Sequence, residues 1–399
     1  MNQPLMTPTR TAAIGGLLTA LASVSMALYT PAMPTLVAAF GTTMAMIKTS
    51  LTAFFAGFAL SQLVAGPISD AFGRRPAALL FLTLYTLGGL LALFAETVET
   101  LVAARLLQGV GAAIGVGVSR ALVRDLFTGE EASRVLNTIG IVLSIGPALS
   151  PTIGGVLLAL FGWRAVFVVM ALVGVVTLAT VALALPETNR SIDPAKARPM
   201  RVLATYAALA RDRRFMLPVL SIGFSVGAIF SLGTMLPFVL IDRVGLDPAG
   251  FGVGMLAQTL SYLAGGLAAR QLLPRFGAKR LILPGLVLGL IGASGTLLLG
   301  RVVEPSYVAV MIPVGVFAFS ISLVIPGLTT RAMTPFPKVA GSASSLLGFV
   351  QMGSGFLGGL AATLFPDPVV ALGWVFPTML AVALMARLVD RGPGTSPAP

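Results

Sequence analysis

The sequence contains no cysteine and no histidine, and only 14 of its 399 residues are acidic. The absence of cysteine excludes disulfides, thiolate nucleophiles and cysteine metal sites, and the absence of histidine excludes imidazole catalysis and histidine metal ligands. The chain also lacks the Gly-x-x-x-x-Gly-Lys-Ser/Thr loop that holds ATP phosphates. We therefore predict no enzyme activity, no cofactor, no metal and no ATP-driven pumping.

What is abundant is apolar sequence. Hydrophobic residues make up 56% of the chain, charged residues 10%, and the mean hydropathy is +0.96. The apolar residues form runs of roughly twenty, which is the length of a helix that crosses hydrocarbon. The composition predicts an all-α membrane protein with twelve transmembrane helices, at residues 11–35, 45–69, 76–94, 99–121, 134–159, 163–185, 214–241, 249–272, 280–300, 305–329, 339–364 and 368–388.

The basic residues predict the orientation of these helices. If both termini lie in the cytoplasm, the inner segments hold 21 basic residues and the outer segments hold four, one of which is Lys48. This asymmetry predicts a multi-pass protein of a bacterial inner membrane with both termini cytoplasmic. The net charge of +12 then faces anionic membrane lipids, and no nucleic-acid partner is expected.

Two elements recur at an offset of 204 residues. Phe72-Gly73, followed by two arginines, recurs as Phe276-Gly277 followed by Lys279-Arg280, and Gly154-Gly155 recurs as Gly358-Gly359. A shared offset in two places indicates duplicated halves.

The polar stretch Glu187 to Arg214 lies between the two sets of six spans. We predict a six-helix bundle at 1–186, a cytoplasmic linker at 187–213 and a second six-helix bundle at 214–399.

The segment GPISDAFGRRP, from Gly66 to Pro76, joins the second and third spans. Gly73 permits a tight turn, and Asp70 needs a cationic partner because it lies near a helix C-terminus. The candidates are Arg74, Arg75, Arg124 and the N-terminus of a neighbouring helix. The charges are either a latch that holds one arrangement of the two bundles or a surface ion pair that anchors the chain.

This segment resembles the loop signature between spans two and three of the major facilitator superfamily. Further segments resemble the drug:proton antiporters of this superfamily, and in particular their bicyclomycin/chloramphenicol resistance (Bcr/CflA) branch. These segments are RLLQGVGAA, SRALVRDLF, GPALSPTIGG, GWRAVF, LPET, LPFVL and KVAGSASSLLGFVQ. The resemblance implies two six-helix bundles that move around a central cavity lined by spans one, four, seven and ten, with multidrug efflux driven by proton entry. It places the conformational latch at Gly66, Asp70, Gly73, Arg74, Arg75, Arg124 and Asp125.

The fifth span carries GPALSPTIGG, which is similar to the antiporter motif of that family. The residues concerned are Gly146, Pro147, Pro151, Gly154 and Gly155. We expect a helix bent at the two prolines, with the glycine pair allowing close packing between the bundles. A generic packing face of small residues is the alternative.

Arg105 is the one charged residue that we place inside a span. A guanidinium in the membrane needs partners, and Gln108 lies on the same helical face. The resemblance links this arginine to proton transfer and to the first span. Alternatively, it ties the fourth span to backbone carbonyls.

The sequence departs from the family in the first span, where Ala27 occupies the position of the usual acid although Tyr29, Pro31 and Pro34 fit the pattern. All 14 acids fall in predicted loops or span ends. The proton carriers left are Asp70, Asp125 and Asp242, and a uniporter without proton coupling is an open alternative.

A cavity with an arginine and no acid should disfavour organic cations and accept neutral or anionic amphipathic molecules. Helical phasing predicts the cavity residues Tyr29, Arg105, Gln108, Phe224, Ser231, Met235, Phe317 and Ser320. We expect a monomer that binds a small-molecule substrate and protons. A non-transporting sensor is the remaining alternative, but it would need a soluble output domain.

Overall fold

The computed structural model describes residues 5–390, apart from the side chains at positions 143, 144, 147 and 196. Eight helices precede the linker: α1 (Pro8–Ala27), α2 (Met33–Ala39), α3 (Met44–Phe72), α4 (Arg74–Leu93), α5 (Val98–Ala112), α6 (Ile114–Leu126), α7 (Gly129–Phe161) and α8 (Trp163–Ala184). A short 3-10 turn joins α1 to α2, and α5 meets α6 at Ala113, so each pair continues as one long segment.

Eight more helices follow in the described chain: α9 (Pro199–Arg211), α10 (Arg213–Pro237), α11 (Pro248–Gly254), α12 (Leu256–Phe276), α13 (Ala278–Gly295), α14 (Tyr307–Met333), α15 (Ala340–Thr363) and α16 (Pro368–Val389). One turn of π-helix, Phe238–Arg243, extends α10. Helix α9 lies in the predicted linker, where no helix was expected. Its Tyr206 and Leu209 are buried in an apolar core of the second half, and the Tyr206 hydroxyl donates to the Leu63 carbonyl of α3 at 2.8 Å, so α9 contacts both halves.

Helices occupy all twelve predicted spans. Eleven segments of the described chain are long and apolar enough to cross a membrane, and a shorter apolar stretch, Ala148–Phe161, forms the last part of α7. The all-helical membrane architecture predicted from composition is therefore confirmed. The count of twelve crossings stays a prediction, because the apolar stretch of α7, Ala148–Phe161, is shorter than a helix that crosses hydrocarbon.

Short polar side chains fix where many helices begin. Thr43, Thr97, Asp247, Ser306 and Asp367 each accept a hydrogen bond from a backbone N–H in the first turn of the helix that follows. These bonds satisfy donors that have no partner inside the helix. The N-caps thus define the ends of the helices near the membrane surface.

Buried apolar side chains form separate sets on the two sides of the linker. The largest set comes almost entirely from α1–α8, and two others come from α9–α16. Large apolar side chains are also exposed on the outside, such as Leu60, Phe94, Leu183, Leu267 and Leu364. An apolar exterior of this kind suits contact with lipid rather than water.

Arginines concentrate at one end of the helices. Arg10 at the start of α1 donates to the Ala184 carbonyl at the end of α8, and Arg75 at the start of α4 donates to the Ala182 carbonyl. We name this the basic end, and the opposite end, where α3 begins, the far end.

The α3–α4 turn requires glycine. Gly73 has φ 106° and ψ 157°, and Gly277, between α12 and α13, has φ 77° and ψ 151°. Both conformations belong to a region that only glycine adopts readily. The two turns lie 204 residues apart, so the repeat seen in the sequence has a matching backbone conformation. A β-carbon on Gly73 would also lie 2.5 Å from Glu187 Oε2, whereas a β-carbon on Gly277 would meet no atom within 4 Å.

This difference yields a paired prediction. Gly277→Ala should destabilise the protein by the backbone strain alone, about 1–3 kcal/mol. Gly73→Ala should lower the thermal unfolding midpoint in detergent further, because it also displaces Glu187. Equal midpoints for the two variants would show that the Glu187 contact does not contribute to stability.

Candidate functional site

Arg105 lies in the middle of α5 and is completely buried. Its Nη1 donates to Gln108 Oε1 at 2.8 Å, its Nη2 donates to the Ser25 carbonyl at 3.1 Å, and Met170 Sδ lies 3.5 Å from Nη1. The hydrogen bond expected between Arg105 and Gln108 is therefore present. The bond from Arg105 to the Ser25 carbonyl is also present, and it links α5 to α1, the first span.

Aromatic rings complete the surroundings of this guanidinium. Its Cζ lies 4.6 Å from the centre of the Tyr29 ring and 4.7 Å from that of Phe54. The Tyr29 hydroxyl in turn bonds the Ser50 hydroxyl at 2.6 Å. Ring faces attract cations, and the attraction strengthens when water is excluded. No carboxylate among residues 5–390 pairs with Arg105, so ring faces and neutral oxygens stabilise its charge.

Two donors in this cluster have no acceptor in the part of the chain that is described. They are Arg105 Nε and Gln108 Nε2, and both are buried. Buried donors are normally satisfied, because leaving one without a partner costs about 1–3 kcal/mol. The cluster therefore retains a capacity to bind a hydrogen-bond acceptor.

Lys48 is a second buried cation. It was counted above with the outer segments, but it lies inside α3. It lies in the first turns of α3 with only 1% of its surface exposed, and its Nζ donates to the Ala362 carbonyl of α15 at 3.2 Å. Nζ also lies 5.5 Å from the centre of the Phe238 ring. The sequence contains a pattern that indicates this burial, because Lys48, Leu51, Phe55 and Ala59 follow the helical spacing of a buried face.

The other predicted cavity residues do not join the Arg105 cluster. Ser231 and Met235 of α10 are buried, and Phe224 is partly buried. The Phe317 ring packs edge-on against Phe376 of α16 at 4.8 Å.

Ser320 lies beside Gly289 of α13, where its Oγ would be 2.7 Å from an added β-carbon. Ser320 and Phe317 therefore face α13 and α16 within the second half. Their role in a substrate cavity stays a prediction.

The two halves meet along α3 and α15, which pack against each other over most of their length. At the far end Lys48 contacts Ala362, and Thr52 lies against Gly359. Near the middle the Phe55 ring lies 5.6 Å from the Phe230 ring of α10. We call the contacts between the halves the inter-half interface.

The same two helices also meet towards the basic end. Gln62 lies against Gly348, and Gly66 against Ser345. Arg120 of α6 donates to Ser344 Oγ at 3.1 Å. The inter-half interface is therefore closed at both ends of the α3–α15 contact.

The glycine pairs of the repeat occupy equivalent places in this interface. Gly154 of α7 packs against the Leu28 carbonyl in its own half, whereas Gly155 packs against the Pro248 carbonyl of α11 in the other half. In the second half, Gly358 packs against Ser231 and Gly359 against Thr52. In both pairs the first glycine allows close packing within a half and the second allows close packing between the halves.

The antiporter motif lies where α7 meets α11. Thr152 Oγ1 donates to the Gly252 carbonyl at 2.9 Å, and the Pro151 carbonyl also lies against Gly252. Gly146 packs beside Ser23 of α1. The side chain of Pro147 lies outside the described part of the chain, and the predicted bend at the two prolines stays a prediction.

The charged residues of the α3–α4 turn form one cluster at the basic end. Arg74 pairs with Asp70, and its Nε donates to Asp125 Oδ2 at 3.0 Å. The backbone N–H groups of Arg74 and Arg75 donate to the Glu187 carboxylate at 2.9 and 3.0 Å. Glu187 was not among the predicted residues.

A cavity of about 360 Å³ opens beside this cluster, lined by Asp70, Arg74, Arg124, Asp125 and residues 188–191. The ion pairs of the cluster join α3, α4 and α6, and Glu187 belongs to the segment after α8. These partners all precede α9. The cluster therefore fastens the first half and the start of the linker, and its predicted action as a latch between the halves stays a prediction.

The fold defines the class of protein: a helical membrane protein with many spans. Comparison with known proteins narrows the class, because residues 15–359 match the family model of the Major Facilitator Superfamily. The chain belongs to this family.

Curated relatives agree with that assignment. An uncharacterized MFS-type transporter, YdgK, of Bacillus subtilis is 31% identical over 84% of both chains. A bicyclomycin resistance protein homolog of Haemophilus influenzae is 26% identical over 85% of both chains, which confirms the predicted relationship to the bicyclomycin branch. The crystal structure of a D-xylose-proton symporter has the same fold, with a TM-score of 0.75 and 16% identity over 97% of this chain and 98% of that one.

The environment of Arg105 predicts how its replacement will behave. Arg105→Ala removes the side chain between Tyr29 and Phe54 and should destabilise the protein by about 2–5 kcal/mol, the range for large buried truncations. Arg105→Met fills most of the volume without a charge, so its thermal midpoint in detergent should stay close to that of the wild type. If Arg105→Met unfolds as readily as Arg105→Ala, the charge itself holds α5 to α1.

Proposed function

We propose that this protein exports small amphipathic compounds, neutral or anionic, from the bacterial cytoplasm. The basic end is the cytoplasmic end, and both termini are cytoplasmic. The protein is a monomer whose twelve spans cross the inner membrane. The halves are residues 1–186 and 214–399, joined by the segment 187–213, and they open alternately on the two sides. The name of the Haemophilus influenzae relative, a bicyclomycin resistance protein homolog, supports drug-like substrates.

The observation that carries this proposal is the composition of the inter-half interface. Helix α15 meets α3 through small residues, among them Ser345, Gly348 and Gly359, and small residues allow helices to approach closely. Three charged side chains are buried in the described helices, and all three are cationic: Lys48, Arg74 and Arg105. Of these, only Arg74 pairs with carboxylates, so Lys48 and Arg105 are the buried cations without one. Cations without carboxylates repel organic cations and accept neutral or anionic molecules.

Proton antiport is the proposed energy source, and the resemblance to the bicyclomycin branch supports it. Two of the candidate carriers, Asp70 and Asp125, are both engaged with Arg74. Asp242, in the π-helical turn after α10, has no such ion pair among the described residues and is the preferred carrier.

Ala27, at the usual position of the family acid, favours the second candidate function, which is a uniporter of the same fold. A transmembrane pH gradient separates the two functions. In proteoliposomes with an acidic lumen, an antiporter accumulates a neutral drug such as chloramphenicol above its external concentration, whereas a uniporter only equilibrates it. Asp242→Asn should abolish accumulation but preserve equilibration, and Asp193→Asn, in the linker, serves as the control.

Failure of wild-type protein to accumulate the drug would contradict antiport. Failure even to equilibrate it, or any other neutral or anionic amphiphile, would contradict export altogether.

A cross-link can test the alternating motion. A β-carbon on Gly359 lies 3.5 Å from Thr52 Cβ, within the range that a disulfide needs. The protein has no cysteine of its own, so the pair Thr52→Cys with Gly359→Cys introduces only this bond. Oxidation should stop transport by holding the far end shut, and a reducing agent should restore it. The single variants serve as controls, and undiminished transport by the oxidised pair would contradict opening at this interface.

A further inference from the structure

Lys48 occupies a position where a buried cation has no evident structural need. It is the only charged residue in the far-end half of α3, and α15 opposite contains none. The ammonium lies between the helices of the two halves, enclosed by Ala362 and the Phe238 ring. Burial of an ammonium in such surroundings is costly unless it has strong partners.

The partners in this structure use only part of its bonding capacity. An ammonium carries three donors, and Lys48 gives one of them to a neutral carbonyl at 3.2 Å. No carboxylate among residues 5–390 lies within 4 Å of it. The acid that acts on it at longer range, Asp367, is bound to Arg243 at 2.7 Å and caps α16.

Opening of the far end changes these surroundings. Ala362 belongs to α15 and Lys48 to α3, so separation of the two halves removes the one hydrogen-bond acceptor. The ammonium then lies on the wall of the exit, between apolar surfaces that focus its field. A carboxylate that leaves through this opening can replace the lost carbonyl, whereas an organic cation is repelled.

We propose that Lys48 is a specificity-determining residue of the exit, which binds the anionic group of an outgoing substrate and rejects cations. This inference rests on the proposed export function and assigns the selection of substrate charge to one side chain. The substrate class that fits is an amphipathic organic acid, whose apolar part contacts aromatic side chains such as Phe238 and whose carboxylate pairs with the ammonium.

The test compares three probes of different charge in proteoliposomes: fluorescein as anion, chloramphenicol as neutral compound and ethidium as cation. Lys48→Gln should lower fluorescein export about tenfold relative to chloramphenicol export, and Lys48→Arg should retain it. Lys48→Glu should raise the ratio of ethidium export to fluorescein export above the ratio found for Lys48→Gln. Arg164→Gln, which removes an exposed cation at the far end, is the matched control and should leave the ratios unchanged.

Several outcomes would overturn the inference while leaving export intact. Export of all three probes could fall by the same factor in Lys48→Gln, which would make Lys48 a structural or gating residue without selectivity. The Arg164→Gln control could reproduce the shift, which would assign it to overall surface charge.

If the wild type exports none of the probes, the proposed function fails. A binding measurement then tests the anion site at Lys48 by itself. Fluorescence anisotropy of fluorescein with purified protein should give a Kd about tenfold higher for Lys48→Gln than for the wild type. Equal affinities would refute the anion site.

Discussion

Close backbone contact between α3 and α5 is the constraint on which the first half depends. Gly57 of α3 lies against the Leu106 carbonyl, and Gly109 of α5 lies against the Phe54 carbonyl. Helices surrounded by lipid gain little from hydrophobic burial, so they associate where small residues allow backbones to touch. This reciprocal contact brings the Phe54 ring to Arg105, one turn before Gly109. The environment of the buried guanidinium thus follows from two glycines that carry no chemistry themselves.

The protein stabilises its cations in three different ways. Arg74, at the membrane surface, has two carboxylates; Arg105, deep in the first half, has aromatic rings, an amide and a carbonyl; and Lys48 has a single carbonyl from the opposite half. The partners of Arg74 and Arg105 belong to the first half and to the start of the linker, so they would stay in place in the motion proposed above. The partner of Lys48 would not, so its surroundings are the most dependent on the conformation of the transporter.

The sequence was a good guide to features that depend on local chemistry. Runs of apolar residues located the helices, the glycine after Phe72 marked a turn that needs positive φ, and the spacing of Arg105 and Gln108 on one face predicted their hydrogen bond. Features that depend on how helices rotate against each other were less accessible. The helical spacing of residues along α14 does not show whether Phe317 faces a substrate passage or packs against Phe376. The burial of Lys48 was missed because the residue lies near the end of a predicted span, where an exposed charge is common. Helix α9 was missed because charged residues flank it on both sides, although its own sequence, PMRVLATYAALAR, is amphipathic.

Adjacent glycines in α7 face different partners, Gly154 within its half and Gly155 across to α11. Packing within the first half and packing between the halves therefore depend on two neighbouring residues. A change at Gly154 therefore affects packing within the first half, and a change at Gly155 affects the contact between the halves. In the alternating motion proposed above, substitutions at Gly155 and Gly359 would change the energy of separating the halves, whereas substitutions at Gly154 and Gly358 would change the packing inside each half.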